Sequence, residues 1–374
     1  MKLKRHVERL SAVSVVAIAT LALAGCSSDN RSTAVSAAPV PAGSSKPAQC
    51  GGKASLRAEG STSQENAIAE FNKVWAQTCP GKTIAYNATG SGAGINQFIA
   101  NQVDFAGSSS AMTGEQIGKA AQRCGGNPAW HLPLVFGPVA LVYNVGDGVH
   151  DLVLNAAVLA DIFQGRITRW SDPAIAALNS TSKLPNLAIA PIFRSDSSGT
   201  TDNFQAYLGA AAPTHWSKGA GTEFQGGVGE GVSKSSGVVQ AVAVTPGSIG
   251  YVEISPAAGA GLPFARIDNG DGPAALKDDT VGKAIAAARL GDGNDLVIDL
   301  KSMYATKDAG AYPLIMATYE VVCSKGYDHD TAAAVKSFLS TAINQGQSNL
   351  SNIGYVRLPD ELNKRVQTAI SAID

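Results

Sequence analysis

From Lys53 onward, short apolar runs at strand spacing alternate with amphipathic stretches at helical spacing, which restricts the chain to sheet covered by helices. Residues 54–58, 82–87 and 103–107 read as strands. Residues 64–77 read as a helix with Ala67, Ile68, Phe71, Val74 and Trp75 on one face, stopped by Pro80-Gly81, and 94–100 is helical. The run 131–144 is too rich in Val and Pro for a surface helix. Beyond it, 155–163, 173–179 and 201–208 read as helices and 190–194, 249–253 and 315–324 as strands. The stretches 331–344 and 359–373 are terminal amphipathic helices. This order predicts an α/β fold with a largely parallel sheet covered on both faces.

The chain's 374 residues allow two domains or one large one, and 45% hydrophobic residues are enough for a real core. With 29 Lys and Arg against 30 Asp and Glu, the net charge of −1 excludes broad nucleic-acid binding, which needs a basic surface. Glycine supplies 40 residues, an excess that implies tight turns or close backbone approaches.

The first residues are read as an export signal. Lys2, Lys4, Arg5 and Arg9 form a basic head, and 10–24 is an apolar run too short to span a bilayer comfortably. Leu23-Ala24-Gly25-Cys26 resembles a bacterial lipoprotein box, so 1–25 is expected to be removed and Cys26 to be lipidated. Residues 26–49, rich in Ser, Ala and Pro, read as a flexible tether. An exported chain with Cys50, Cys79, Cys124 and Cys323 favours two disulfides, and three pairings stay open. No Cys/His cluster is present, so neither a metal nor any other cofactor is expected.

One local design recurs three times. Gly60-Ser61-Thr62-Ser63, Gly90-Ser91-Gly92-Ala93-Gly94 and Ser197-Ser198-Gly199-Thr200 each join a strand to a helix. Each offers hydroxyls and unencumbered backbone N–H groups at the positive end of a helix, the chemistry of an anion site. Ser and Thr are also ordinary helix caps. Arg194, just ahead of the third loop, supplies a planar fork for two oxygens of an oxyanion, and Asp196 is placed to orient it. A hydrolase is disfavoured, because no nucleophile elbow, Walker motif or dinucleotide fingerprint accompanies these loops. His131 sits in an apolar run and reads as structural, while His150, His215 and His329 read as solvated.

These segments, with Val103-Asp104-Phe105, Phe163-Gln164-Gly165-Arg166-Ile167-Thr168-Arg169-Trp170, Arg194 to Thr201 and Gly247-Ser248-Ile249-Gly250-Tyr251-Val252, resemble the phosphate-specific substrate-binding proteins of ABC importers. The resemblance implies the two-lobed periplasmic-binding-protein fold (type II), two mixed sheets joined by two crossover strands near 137–144 and 313–319. Lobe one is then 50–139 with 318–374, and lobe two 140–317. Inorganic phosphate is expected to be held between them by Thr62, Ser63, Ser91, Ser109, Arg194, Ser198, Gly199 and Thr200, with Asp196 supporting Arg194. The implied partners are the membrane permease subunits of the importer, and the chain is expected to be a monomer tethered to the outer face of the cell membrane. Within that fold the disulfides are expected to be Cys50–Cys79 and Cys124–Cys323.

One position departs from the family pattern. After Val-Asp-Phe the family usually carries Ser-Asp, and its aspartate accepts a phosphate proton and repels sulfate. Here Ser109 stands at that position, so phosphate is expected to be selected less strictly, or another carboxylate such as Glu59 to substitute. Other oxyanions (sulfate, arsenate, molybdate) remain alternatives, as does a secreted phosphatase using Ser91 or Ser198, or an adhesin retaining the fold.

Overall fold

The computed structural model describes residues 50–374 apart from Asp147 and Ala287. The expected signal segment 1–25, the lipidation site Cys26 and the tether 26–49 lie outside the described residues.

Eight strands follow one another in a single hydrogen-bonded series, as two sheets that share β4: β1 (Ser55–Gly60), β2 (Thr83–Ala88), β3 (Phe105–Ser108), β4 (Ala129–Asn144), β5 (Ala190–Arg194), β6 (Glu230–Val232), β7 (Ser248–Glu253) and β8 (Ile315–Cys323). Their spatial order is β2-β1-β3-β8-β4-β7-β5-β6. The expectation of a largely parallel sheet is corrected here. The flanks are parallel, β1 with β2 and β3 and β5 with β6 and β7. The centre is antiparallel, because β8 runs against both β3 and β4, and β4 runs against β7. Side chains on β1, β3 and β8 are buried against helices, among them Phe105, which stacks on Phe338 with ring centroids 5.6 Å apart.

β4 makes this arrangement possible. Its 16 residues, at about 3.3 Å each, extend roughly 50 Å, long enough to serve two sheets in succession. Residues 129–138 pair with β8, and 139–144 pair with β7. Two prolines fall at the irregular points, where a missing N–H costs least. Pro133 stands opposite Tyr319 at a bulge, and Pro138 stands where β4 changes partner. The result is the two-lobed periplasmic-binding fold, with both sheets built onto one strand.

The helices follow their caps. Thr113 closes a capping box on the helix Gly114–Arg123, Asn155 caps Ala156–Phe163, and Ser198 caps Gly199–Ala211. His131 is buried, accepting from Met112 N–H through Nε2 and facing Asp295 through Nδ1, the structural role its apolar setting suggests. Among the described residues no helix is long and apolar enough to cross a membrane.

Disulfides join Cys50 to Cys79 and Cys124 to Cys323. The second ties the end of the helix Gly114–Arg123 to the end of β8 across 199 residues of sequence. Closing so long a loop restricts the unfolded chain most, so replacing both cysteines with alanine should destabilise the fold by about 2–5 kcal/mol. Urea unfolding measures this, and an unchanged midpoint would contradict it.

Candidate functional site

Three loops leave the ends of β1, β2 and β5 and meet at one place. In the first, the chain turns through a short 3-10 segment, Thr62–Gln64, before the helix Glu65–Thr78. Ser61 Oγ accepts from Ser63 N–H at 3.3 Å, and Ser61 N–H donates to Gly107 O at 2.8 Å. Two tyrosines hold the loop from behind, Tyr86 Oη donating to Ser61 O at 2.8 Å and Tyr355 Oη to Ser63 O at 2.6 Å.

The second loop opens the helix Ser91–Ile99, and its glycines are contact points. A Cβ on Gly90 would lie 2.8 Å from Asp196 Oδ2, one on Gly92 2.0 Å from Ser197 Oγ, and one on Gly94 2.4 Å from Glu59 O. The glycine spacing therefore lets the second loop lie directly against the third, and Gly92 N–H donates to Ser197 O at 3.1 Å.

The third loop carries the charge. Arg194 ends β5 and is only 3% exposed. Its Nε donates to Asp196 Oδ1 at 2.7 Å and its Nη2 to Asp196 Oδ2, a two-pronged pairing that leaves Nη1 to reach Ser235 Oγ at 3.4 Å. Burial desolvates the Asp196 carboxyl, but the adjacent guanidinium and backbone N–H donors together outweigh it and hold the carboxyl below the ordinary range. Lys234 N–H also donates to Asp196 Oδ1, at 3.0 Å, so three donors fix this carboxylate.

The loops are stitched together by hydroxyls. Thr62 Oγ1 lies 2.7 Å from Ser235 Oγ, and Ser63 Oγ lies 2.8 Å from Thr200 Oγ1. Ser91 Oγ accepts from Ser109 N–H at 3.1 Å and from Gly199 N–H at 3.2 Å. Gly199 is as constrained as Gly92, since a Cβ there would lie 2.6 Å from Ser91 Oγ. Thus Thr62, Ser63, Ser91, Ser109, Arg194, Gly199 and Thr200 join one buried network in which donors outnumber carboxylates. Ser198 is buried beside them, but its hydroxyl caps its own helix, accepting from Thr201 N–H at 3.3 Å.

Ser109 keeps different company from a ligand-facing carboxylate. Its hydroxyl bonds Ser61 Oγ at 2.8 Å and Thr318 Oγ1 at 2.9 Å, forming a row of neutral groups. Glu59 is bonded elsewhere. It accepts from Thr89 Oγ1 at 2.8 Å and Asn87 Nδ2 at 3.4 Å and makes no bond to the network. Asp202 lies beside this row: its carboxylate takes the hydroxyl of Ser110, the next residue, and burial pushes it toward the neutral form.

Sequence reasoning missed Ser235, which bridges Thr62 and Arg194. It opens the helix Lys234–Val244 after β6, which repeats the strand-loop-helix design a fourth time. β6 has only three residues, too few to register as a strand. Thr318 was missed for a different reason: it lies inside a strand, where a hydroxyl carries no positional signal. Among the described residues no group of three or more His, Cys, Asp or Glu side chains is placed to hold a metal ion.

Comparison with known proteins bears on this geometry. A family model described as PBP superfamily domain matches residues 45–343. The chain is 48% identical over 366 residues to phosphate-binding protein PstS 3 of Mycobacterium tuberculosis, covering 97% of this chain and 98% of that one. It is 46% identical over 369 residues to PstS 2 of the same organism, with the same coverage. A crystal structure from Clostridium perfringens, described as a phosphate ABC transporter substrate-binding protein with bound phosphate, superposes with a TM-score of 0.60. It shares 17% identity, over 82% of this chain and all of that one, a likeness of fold. With its sheet order, its paired loops and nearly full-length relatives in agreement, the chain belongs to the PBP superfamily and, within it, to the family of the PstS proteins.

Proposed function

We propose that this protein binds inorganic phosphate between its lobes and delivers it to the membrane subunits of an ABC-type importer. The observation that carries the reading is the convergence of Thr62, Ser63 and Ser91 from one part of the chain with Arg194, Gly199, Thr200 and Ser235 from another. Hydroxyl and amide donors with a single oriented guanidinium suit a small tetrahedral oxyanion, whose oxygens each need two or three donors once water is removed. The names of the relatives, phosphate-binding proteins, support the same ligand.

In this reading 50–139 with 318–374 form one lobe and 140–317 the other. The anion replaces the direct hydroxyl–hydroxyl bonds between loops with its own, which favours the closed arrangement that a transporter recognises. Cys26 carries a lipid that keeps a monomeric receptor on the outer face of the cell membrane, and 26–49 is its tether. Intact-mass measurement of the membrane fraction tests the anchor: a diacylated chain beginning at Cys26 is expected, and an unmodified chain contradicts it.

Arg194 is the one positive charge in the network, so its truncation leaves the ligand's charge unmatched. Arg194→Ala should weaken phosphate binding by at least about 2 kcal/mol, roughly 30-fold in Kd. Calorimetric titration of ligand-stripped protein measures it, and unchanged affinity would remove Arg194 from the site.

Ser109 supports a broader choice of ligand. A row of neutral hydroxyls accepts a proton from hydrogen phosphate but donates equally well to sulfate. Sulfate should therefore compete measurably with bound phosphate, and Ser109→Asp should suppress that competition by restoring a repelling charge. Wild-type protein indifferent to sulfate would contradict the assignment.

A further inference from the structure

Behind the first loop the buried polar groups do not balance. Glu320 lies on β8 two residues beyond Thr318, and because side chains alternate along a strand it shares the face on which Thr318 meets Ser109. Its carboxyl is 0% exposed, and neither oxygen has a hydrogen-bond partner. The amide of Gln64, the last residue of the 3-10 turn, faces it. That amide's nitrogen donates to Tyr86 Oη at 3.2 Å, while its oxygen is buried and unpartnered. Gly107, paired with Glu320 between β3 and β8, makes the room: a Cβ there would lie 2.0 Å from Gln64 Nε2 and 2.5 Å from Tyr86 Oη.

Three buried acceptor oxygens on one pair of side chains thus lack a donor. An ionised Glu320 is a buried charge with no compensating donor on either oxygen, whereas a proton on it removes that charge and turns one acceptor into a donor. Desolvation dominates over the opposing effect of the Gln64 amide, and the group is pushed up to about 8.

Among the described residues, no cation acts on the Glu320 carboxyl. β3 offers Gly107 and β4 Leu132 opposite Glu320. From β2 comes the Tyr86 phenol, raised well above its ordinary range by burial and then by Glu320, with smaller effects from Glu65 and Glu59. Tyr355 lies beyond Tyr86, and Glu253 of β7, itself buried and raised, bears on Tyr355.

We propose that Glu320 is a proton-operated positioning residue for the first loop. Neutral, it leaves undisturbed the Gln64–Tyr86 support that backs the first loop; ionised, it places a negative charge behind the anion site and weakens phosphate binding. The inference rests on the phosphate reading above, and its test separates the two. A carboxyl raised in the folded state is protonated below neutrality and ionises as the pH climbs, so the penalty grows toward alkaline pH.

The Kd for inorganic phosphate is measured on ligand-stripped wild-type protein and on Glu320→Gln, from about pH 6.5 to about pH 9.5. Taking the ratio of the two cancels the titration of phosphate itself. The wild-type Kd should rise relative to that of Glu320→Gln by about tenfold across this range. A flat ratio with tight binding overturns the role of Glu320, whereas absence of phosphate binding by the wild type at every pH overturns the phosphate reading. Infrared difference spectra of wild type against Glu320→Gln separate this carboxyl from those of Asp202 and Glu253. They should show a protonated-carboxyl carbonyl band losing intensity over the same range, and a band that does not change overturns the proposal.

Discussion

Buried hydroxyl and amide donors must find partners, and here they find them in one another across distant parts of the chain. Thr62 bonds Ser235, Ser63 bonds Thr200, and Ser91 collects the backbone donors of Ser109 and Gly199. Nothing bulkier than a hydrogen fits between the second and third loops at Gly92 and Gly199. The rest of the architecture serves this meeting. β4 runs through both sheets and so fixes where the ends of β1 and β5 fall relative to each other. The disulfide at Cys124–Cys323 anchors β8 beside it.

The charge distribution follows the same logic. A single guanidinium is locked by a carboxylate that is in turn held by Lys234 N–H, so the cation is aimed before any ligand arrives. Such preorganisation reduces the ordering cost of binding. Elsewhere around the loops negative charge is kept down: burial drives Asp202, Glu253 and Glu320 toward their neutral forms. A molecule that gathers anion donors in a dry place has to treat every nearby carboxyl in one of these two ways.

Much of this was legible in the sequence where a residue type has a local job. The Ser/Thr/Gly clusters between strands and helices announced loops at helix starts, and Arg194 with Asp196 announced a held cation. The long Val- and Pro-rich run was recognisable as unfit for a surface helix, and its prolines turned out to occupy the bulge and the change of partner. What stayed hidden depends on distant pairing. The antiparallel centre of the sheet arises from β4 and β8, whose partners are set by tertiary contacts. Ser235 belongs to the network only because β6, three residues long, places it there. Glu320 sits in an apolar strand, and only the packing of Gln64 and Gly107 around it reveals an unpartnered acid.

The account's central claim is that these loops enclose one tetrahedral anion. Anomalous diffraction from crystals soaked in arsenate, a heavier analogue of phosphate, tests it most directly. The account predicts one strong arsenic peak within hydrogen-bonding distance of Thr62, Ser91, Arg194 and Thr200 together. A peak elsewhere, or none among these residues, would contradict it.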